Sequence, residues 1–91
     1  MARYTDEEAE RLIAEHIDAP PGADPAEVRL RNSGISVWAL INMFLLSPGE
    51  HAAEEVADAY RIEPATMWAA IEYYKRHQRD IDARLAKLHA A

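Results

Sequence analysis

The chain has 91 residues, a formal charge of −6 and no cysteine. It therefore reads as one domain without a disulfide framework, a thiolate nucleophile or a zinc ribbon. No apolar run reaches the ~18 residues that a membrane span needs. The start, Met1 to Glu8, is acidic and lacks the basic-then-apolar order of a secretion signal, so a cytoplasmic location is expected.

The charge is uneven. Residues 1–27 carry eight acids and two bases, and residues 48–63 carry five acids and one base. Residues 64–91 reverse the balance, with five bases against three acids. A net-negative chain exerts no general pull on phosphate, so contact with nucleic acid must rest on a local basic surface.

Thr5 followed by Glu8 is a capping box, and Ala9, Leu12, Ile13, His16 and Ile17 then fall at helical spacing. This predicts an N-terminal helix within residues 1–18. It stops before Ala19-Pro20-Pro21-Gly22, since a residue before proline avoids the helical region. Residues 19–27 read as a linker. Glu27 to Arg31 alternates polar and apolar, which suits a short strand or extended arm. Asn32-Ser33-Gly34 is a turn.

Val37 to Leu46 is the most apolar segment, with Ser36 as its cap; nine of its ten residues are apolar. No single face can be chosen as buried, and a helix apolar all round is covered on more than one side. In so short a chain, which buries only ~60–65% of its unfolded surface, this points to a subunit interface. The expected homodimer contact is Val37, Trp38, Leu40, Ile41, Phe44 and Leu45, with help from Trp68.

Ser47-Pro48-Gly49-Glu50 opens another helix that settles near Ala52 and runs to Tyr60. Pro64 starts the next. From there Met67, Ala70, Ile71, Tyr74, Ile81, Leu85 and Leu88 keep a three-four spacing without glycine or proline. This predicts one long C-terminal helix, or two with a bend near residues 77–80.

Residues 53–72 fit a helix-turn-helix unit. Ala57 supplies the small residue where two helices cross. Val56 and Tyr60 close the first helix, Ile62 plugs the turn, and Met67 and Ala70 face back from the second. Arg61 departs from the pattern, because glycine is common where the backbone turns left-handed. The outward start of the second helix, Glu63, Ala65, Thr66, Ala69 and Glu72, lacks the Arg, Lys, Asn and Gln that read bases. The residues expected to contact DNA are Arg29, Arg31, Thr66, Lys75, Arg76 and Arg79.

Four pieces carry a family resemblance: Gly34 to Leu40, Glu55 to Tyr60, Ala69 to Tyr74, and His77 to Ala83. In that order and spacing, over residues 28–88, the chain resembles the domain of unknown function 433 family, small proteins described as VapB-type antitoxins. The resemblance implies a homeodomain-like tri-helical fold, usually dimeric. It also implies a PIN-type ribonuclease toxin as partner, and operator DNA as a second ligand. The region before the first piece departs from the family pattern, with Arg31 and Gly34 its only echoes, and the loop 47–53 is lengthened.

Other constellations have plainer readings. His51 with Glu54 and Glu55, or His77 with Asp80, lacks a third metal ligand at a convincing spacing. Serines 33, 36 and 47 sit at turns or caps without a paired base. Trp38, Tyr60, Trp68, Tyr73 and Tyr74 read as core or interface rather than base-stacking platforms. Trp68 points off the Met67–Ala70 face, as a dimer anchor or a partner's docking site. No catalytic, cofactor or metal-binding residue is expected.

The overall expectation is an all-α, tri-helical helix-turn-helix domain (residues 28–91) with an N-terminal helix, a short extended arm and a long C-terminal helix. Its expected role is that of a non-enzymatic, antitoxin-like homodimer that binds a toxin and operator DNA. The alternative is a protein-interaction module of the same fold without DNA binding, which the acidic total favours.

Overall fold

The computed structural model describes residues 3–90 and is mostly helical, with one two-stranded sheet. Helix α1 is Asp6–His16. Its start is fixed locally: Glu8 N–H donates to Thr5 Oγ1 at 3.1 Å, and Thr5 N–H donates to Glu8 Oε1 at 2.9 Å. These two bonds satisfy backbone donors that a helix start otherwise leaves without partners.

The chain leaves α1 directly into strand β1 (Ile17–Asp18), which pairs antiparallel with β2 (Arg29–Leu30). Ile17 lies opposite Leu30, and both are buried. Residues 19–27, expected as a linker, lie in the ten-residue loop of this hairpin, residues 19–28. Asp24 caps a 3-10 turn at Pro25–Glu27, accepting from Ala26 N–H at 3.0 Å. Leu12, Ile13 and Ile17 accordingly share one core with residues 28–85. A reversal at residues 31–34, with Gly34 at φ 73°, then turns β2 back on itself toward Ser36.

Helix α2 (Val37–Leu46) follows, then α3 (Ala52–Tyr60), α4 (Pro64–Arg76) and α5 (Gln78–Ala90). Of the two C-terminal readings, the structure has two helices with a break at residue 77, not the single long helix. His77 leaves the helical region (φ −130°, ψ 33°), and its N–H is shared between the carbonyls of Tyr73 and Tyr74. Its ring lies in tilted contact with that of Tyr73, the centroids 4.3 Å apart.

Helix α4 is the hub, packed by α1, α2, α3 and α5. Met67, Ala69 and Ala70 are fully buried, and Ile71 and Tyr73 nearly so. Alanines at 57, 69 and 70 let the helix backbones approach closely, because a methyl group is all that separates them. Val37, Leu40 and Ile41 are at most 1% exposed and belong to the same core. Burying each stabilises the folded chain by about 1.5–3 kcal/mol. The small helices thus share one apolar centre rather than stacking as separate parts.

Candidate functional site

The segment expected as a helix-turn-helix consists of α3, the connection at residues 61–63, and α4. Arg61 sits in the left-handed region at φ 57°, ψ 45° and ends α3, its N–H donating to the carbonyls of Ala57 and Asp58. That is the conformation for which glycine is the usual choice. Ile62 is half-buried against the core as the plug of the turn.

The face that would enter a DNA groove is not open. Helix α1 packs along α4, and Ala69, expected to point outward, is fully buried. Glu72, also expected outward, is 7% exposed and accepts from Lys75 Nζ at 3.0 Å. The physical reason is the N-terminal helix, which packs along α4 with Ala9 buried and Leu12 and Ile13 against the core.

Most residues expected to contact DNA are tied to the fold. Arg29 Nη1 donates to the Gly34 carbonyl at 2.9 Å. Arg31 Nε donates to the Ala14 carbonyl at 3.0 Å and lies 3.8 Å from Asp18. Arg76 Nη2 donates to the Asp6 carbonyl at 3.2 Å, with the Asp6 and Glu10 carboxylates each 3.7 Å away. Thr66 Oγ1 is hydrogen-bonded to His16 Nδ1 at 3.1 Å. Arg79 is exposed and makes no ion pair among the described residues. Arg31 and Arg76 do converge, on one cavity; the six residues as a set do not form a single basic face.

The expected dimer contact is corrected in part. Val37, Leu40 and Ile41 are enclosed within the one chain and unavailable to a second copy. Trp38 is half-buried beneath the Arg84 guanidinium, 4.3 Å from its ring centre, and Arg84 is held by Glu27 at 3.2 Å. Trp68 is half-buried, with Arg3 lying 4.2 Å over its ring. Phe44 is half-buried.

What remains open is the outer C-terminal half of α2. Met43 is 40% exposed, Leu45 53% and Leu46 64%, joined by Leu88 of α5 at 39%. The two helix ends meet through His89 Nε2 and Asn42 Oδ1, 3.0 Å apart. Met43, Leu46 and Leu88 could not be singled out beforehand. An unbroken apolar run does not disclose which of its faces the fold covers.

Two further groups bear on chemistry. A cavity of about 260 Å3 beside the turn is lined by His16, Ser33, Arg61, Glu63 and Thr66. No cluster of three metal-ligating side chains gathers among the described residues, and none of their helices is long and apolar enough to cross a membrane. Tyr74 donates to Asp82 Oδ1 at 2.7 Å. Burial first, then that bond and the Asp82 charge, push its phenol up to about 12.

No protein-family model, curated protein or solved structure matches the chain.

Proposed function

We propose that this chain is a non-enzymatic, antitoxin-like regulator that works by protein contact, as a homodimer that binds a partner toxin. The observation that carries the reading is the apolar end face of α2 and α5: Met43, Leu45, Leu46 and Leu88. Four exposed large apolar side chains at the ends of two adjoining helices, in a chain this small, point to an interaction site. Covering it with a second copy also remedies the small fraction of surface that a short chain buries alone. Helices α2, α3 and α4, which pack on one another, are read here as the tri-helical homeodomain-like core. The antitoxin part of the reading draws on the four sequence pieces described above, with a PIN-type ribonuclease as the expected toxin.

Sedimentation of the purified protein tests the dimer. The natural chain should run as a dimer, and Leu45→Glu with Leu46→Glu should run as a folded monomer with unchanged helical circular dichroism. A natural chain that stays monomeric at high concentration, or a variant that still dimerises, removes the end face from the reading. Titrating the dimer into a PIN-type ribonuclease assay tests the toxin. Activity should fall to zero at a stoichiometric ratio, and undiminished activity would end the antitoxin reading.

Operator DNA is a second ligand that one observation favours: the α3–turn–α4 unit with its left-handed Arg61. With α1 across α4, contact would fall on exposed side chains such as Arg79 rather than on a helix in the groove. Fluorescence anisotropy against the DNA upstream of the reading frame, beside scrambled DNA at two salt concentrations, separates the cases. Selective binding that weakens with salt supports operator contact. No preference at either salt leaves the protein-interaction module without DNA binding.

A further inference from the structure

Where α1, the sheet and the end of α4 meet, a cavity of about 300 Å3 brings together Arg31, just after β2, Arg76, the last residue of α4, and His77 of the break. Its apolar floor is Ile13, Ile17 and the ring of Tyr73. We propose that this cavity is a binding site for a small organic monoanion, a carboxylate on a compact aromatic body. The proposal is independent of what the dimer contacts.

The two guanidinium groups are each held in place at the cavity before any ligand arrives. Arg31 is held by one bond from Nε to the Ala14 carbonyl, and Arg76 by one from Nη2 to the Asp6 carbonyl. A guanidinium carries five N–H donors in a rigid fork. Each therefore keeps donors for a planar, two-oxygen acceptor, the shape it recognises best.

The carboxylates now nearby are weak competitors. Asp18 lies 3.8 Å from Arg31, and Asp6 and Glu10 lie 3.7 Å from Arg76, all beyond hydrogen-bond reach. They are also mostly exposed, Glu10 at 70% and Asp6 fully, so water screens these pairs and exchanging them costs little. They nonetheless set the charge that the site tolerates. With Glu10 in the lining, Asp6 and Asp18 beside the two arginines, and His77 and Tyr73 as the other titratable lining groups, a dianion meets more repulsion than a monoanion. The floor adds selectivity, since an aromatic ring placed against Ile13, Ile17 and Tyr73 loses apolar surface to water. The volume is at the lower end of ligand pockets and admits roughly one ring.

Benzoate is the probe, with benzamide as its uncharged isostere and inorganic phosphate as the alternative anion. Backbone amide shifts are followed by nuclear magnetic resonance in the full chain. Benzoate should give saturable shifts at residues 13–17, 31 and 73–77, and benzamide should bind about tenfold more weakly or not at all. Arg31→Gln and Arg76→Gln should each weaken benzoate by about tenfold. Because Arg76 also touches α1, Glu10→Gln serves as the second variant: it leaves both arginines in place, removes a competitor and should tighten benzoate about two- to fivefold. Equal affinity for benzamide, stronger binding of phosphate, no saturation by about 20 mM, or Glu10→Gln weakening benzoate would each overturn the proposal.

Discussion

Thr66 Oγ1 and His16 Nδ1 lie 3.1 Å apart, joining the first turn of α4 to the last residue of α1 across 50 positions of sequence. A threonine that helical spacing turns toward a DNA groove is instead part of the seam between two helices of one chain. Thr66→Val keeps the branched shape and removes the hydroxyl, leaving the imidazole nitrogen against a methyl group. The expected loss is about 1 kcal/mol, the usual net value of one hydrogen bond in a partly buried setting. Urea unfolding should show a lower midpoint with an unchanged slope. An unchanged midpoint would mean that solvent serves both groups as well as they serve each other.

Arg61 holds a left-handed backbone (φ 57°) whose conformation costs a residue with a Cβ roughly 1–2 kcal/mol. Its N–H bonds to Ala57 and Asp58 are backbone bonds and survive substitution. Arg61→Gly should raise stability by about 0.5–1 kcal/mol, the relief being offset in part by glycine's greater freedom in the unfolded chain. Arg61→Val should lower it, because a β-branched side chain tolerates positive φ least. In a domain of this size 1 kcal/mol is about 4–8 °C of Tm, well within the reach of a thermal melt. The reverse ranking of glycine and valine would mean that the arginine side chain, not the backbone, sets the cost.

These two positions also mark how far the sequence is readable. The strain at Arg61 is local, and so is the capping box of Thr5 and Glu8; both follow from a few neighbouring residues. The seam at Thr66 is not local. It depends on α1 folding back over α4, which in turn depends on Ile17 pairing with Leu30 across a ten-residue loop. Alternation over Glu27 to Arg31 announces β2, but its two-residue partner β1 has no alternation of its own. The break at His77 falls where a bend is one of two open readings; with no proline or glycine in residues 65–91, local spacing cannot choose between one helix and two. In α2 the composition itself hides the answer, because residues with equal claims to burial end up on opposite sides. For the candidate surfaces, the residue types were readable and their partners were not: Arg31 and Arg76 share a cavity only because of α1 and the hairpin.

Leu40 and Leu46 separate the two sides of α2. Leu40 is fully enclosed, and Leu46 is 64% exposed. Leu40→Ala should cost about 2–5 kcal/mol through lost transfer energy and a cavity that α3 and α4 cannot fill by collapse. Leu46→Ala should stay within about 0.5 kcal/mol in dilute solution, where no second copy covers it. Denaturant midpoints at low and high protein concentration read both effects. At high concentration the Leu46 variant should fall behind the natural chain, as a dimer-stabilising contact is lost. If it does not, Leu46 is simply a solvated leucine.

Tyr74 and Asp82 couple α4 to α5 across the His77 break, and the bond carries a pH signature. The phenol is raised from 10.0 to about 12, by burial first and by Asp82 second, so the folded chain keeps a proton that the unfolded chain releases. The stability this contributes is complete below pH 10 and is lost as the pH rises toward 12. Tyr73 is also raised, by burial and then by the charges of Asp24 and Asp80, so the alkaline titration contains two late tyrosines. Tyr74→Phe should lower stability at neutral pH by about 0.5–1.5 kcal/mol, and its deficit against the natural chain should shrink between pH 10 and 12. Asp82→Asn, which keeps an acceptor but removes the charge, should shift the Tyr74 titration downward without abolishing the bond. The measurement is the tyrosinate absorbance of each variant, beside denaturation midpoints across the same range. A deficit that stays constant with pH would show that the bond holds the two helices together without governing the proton.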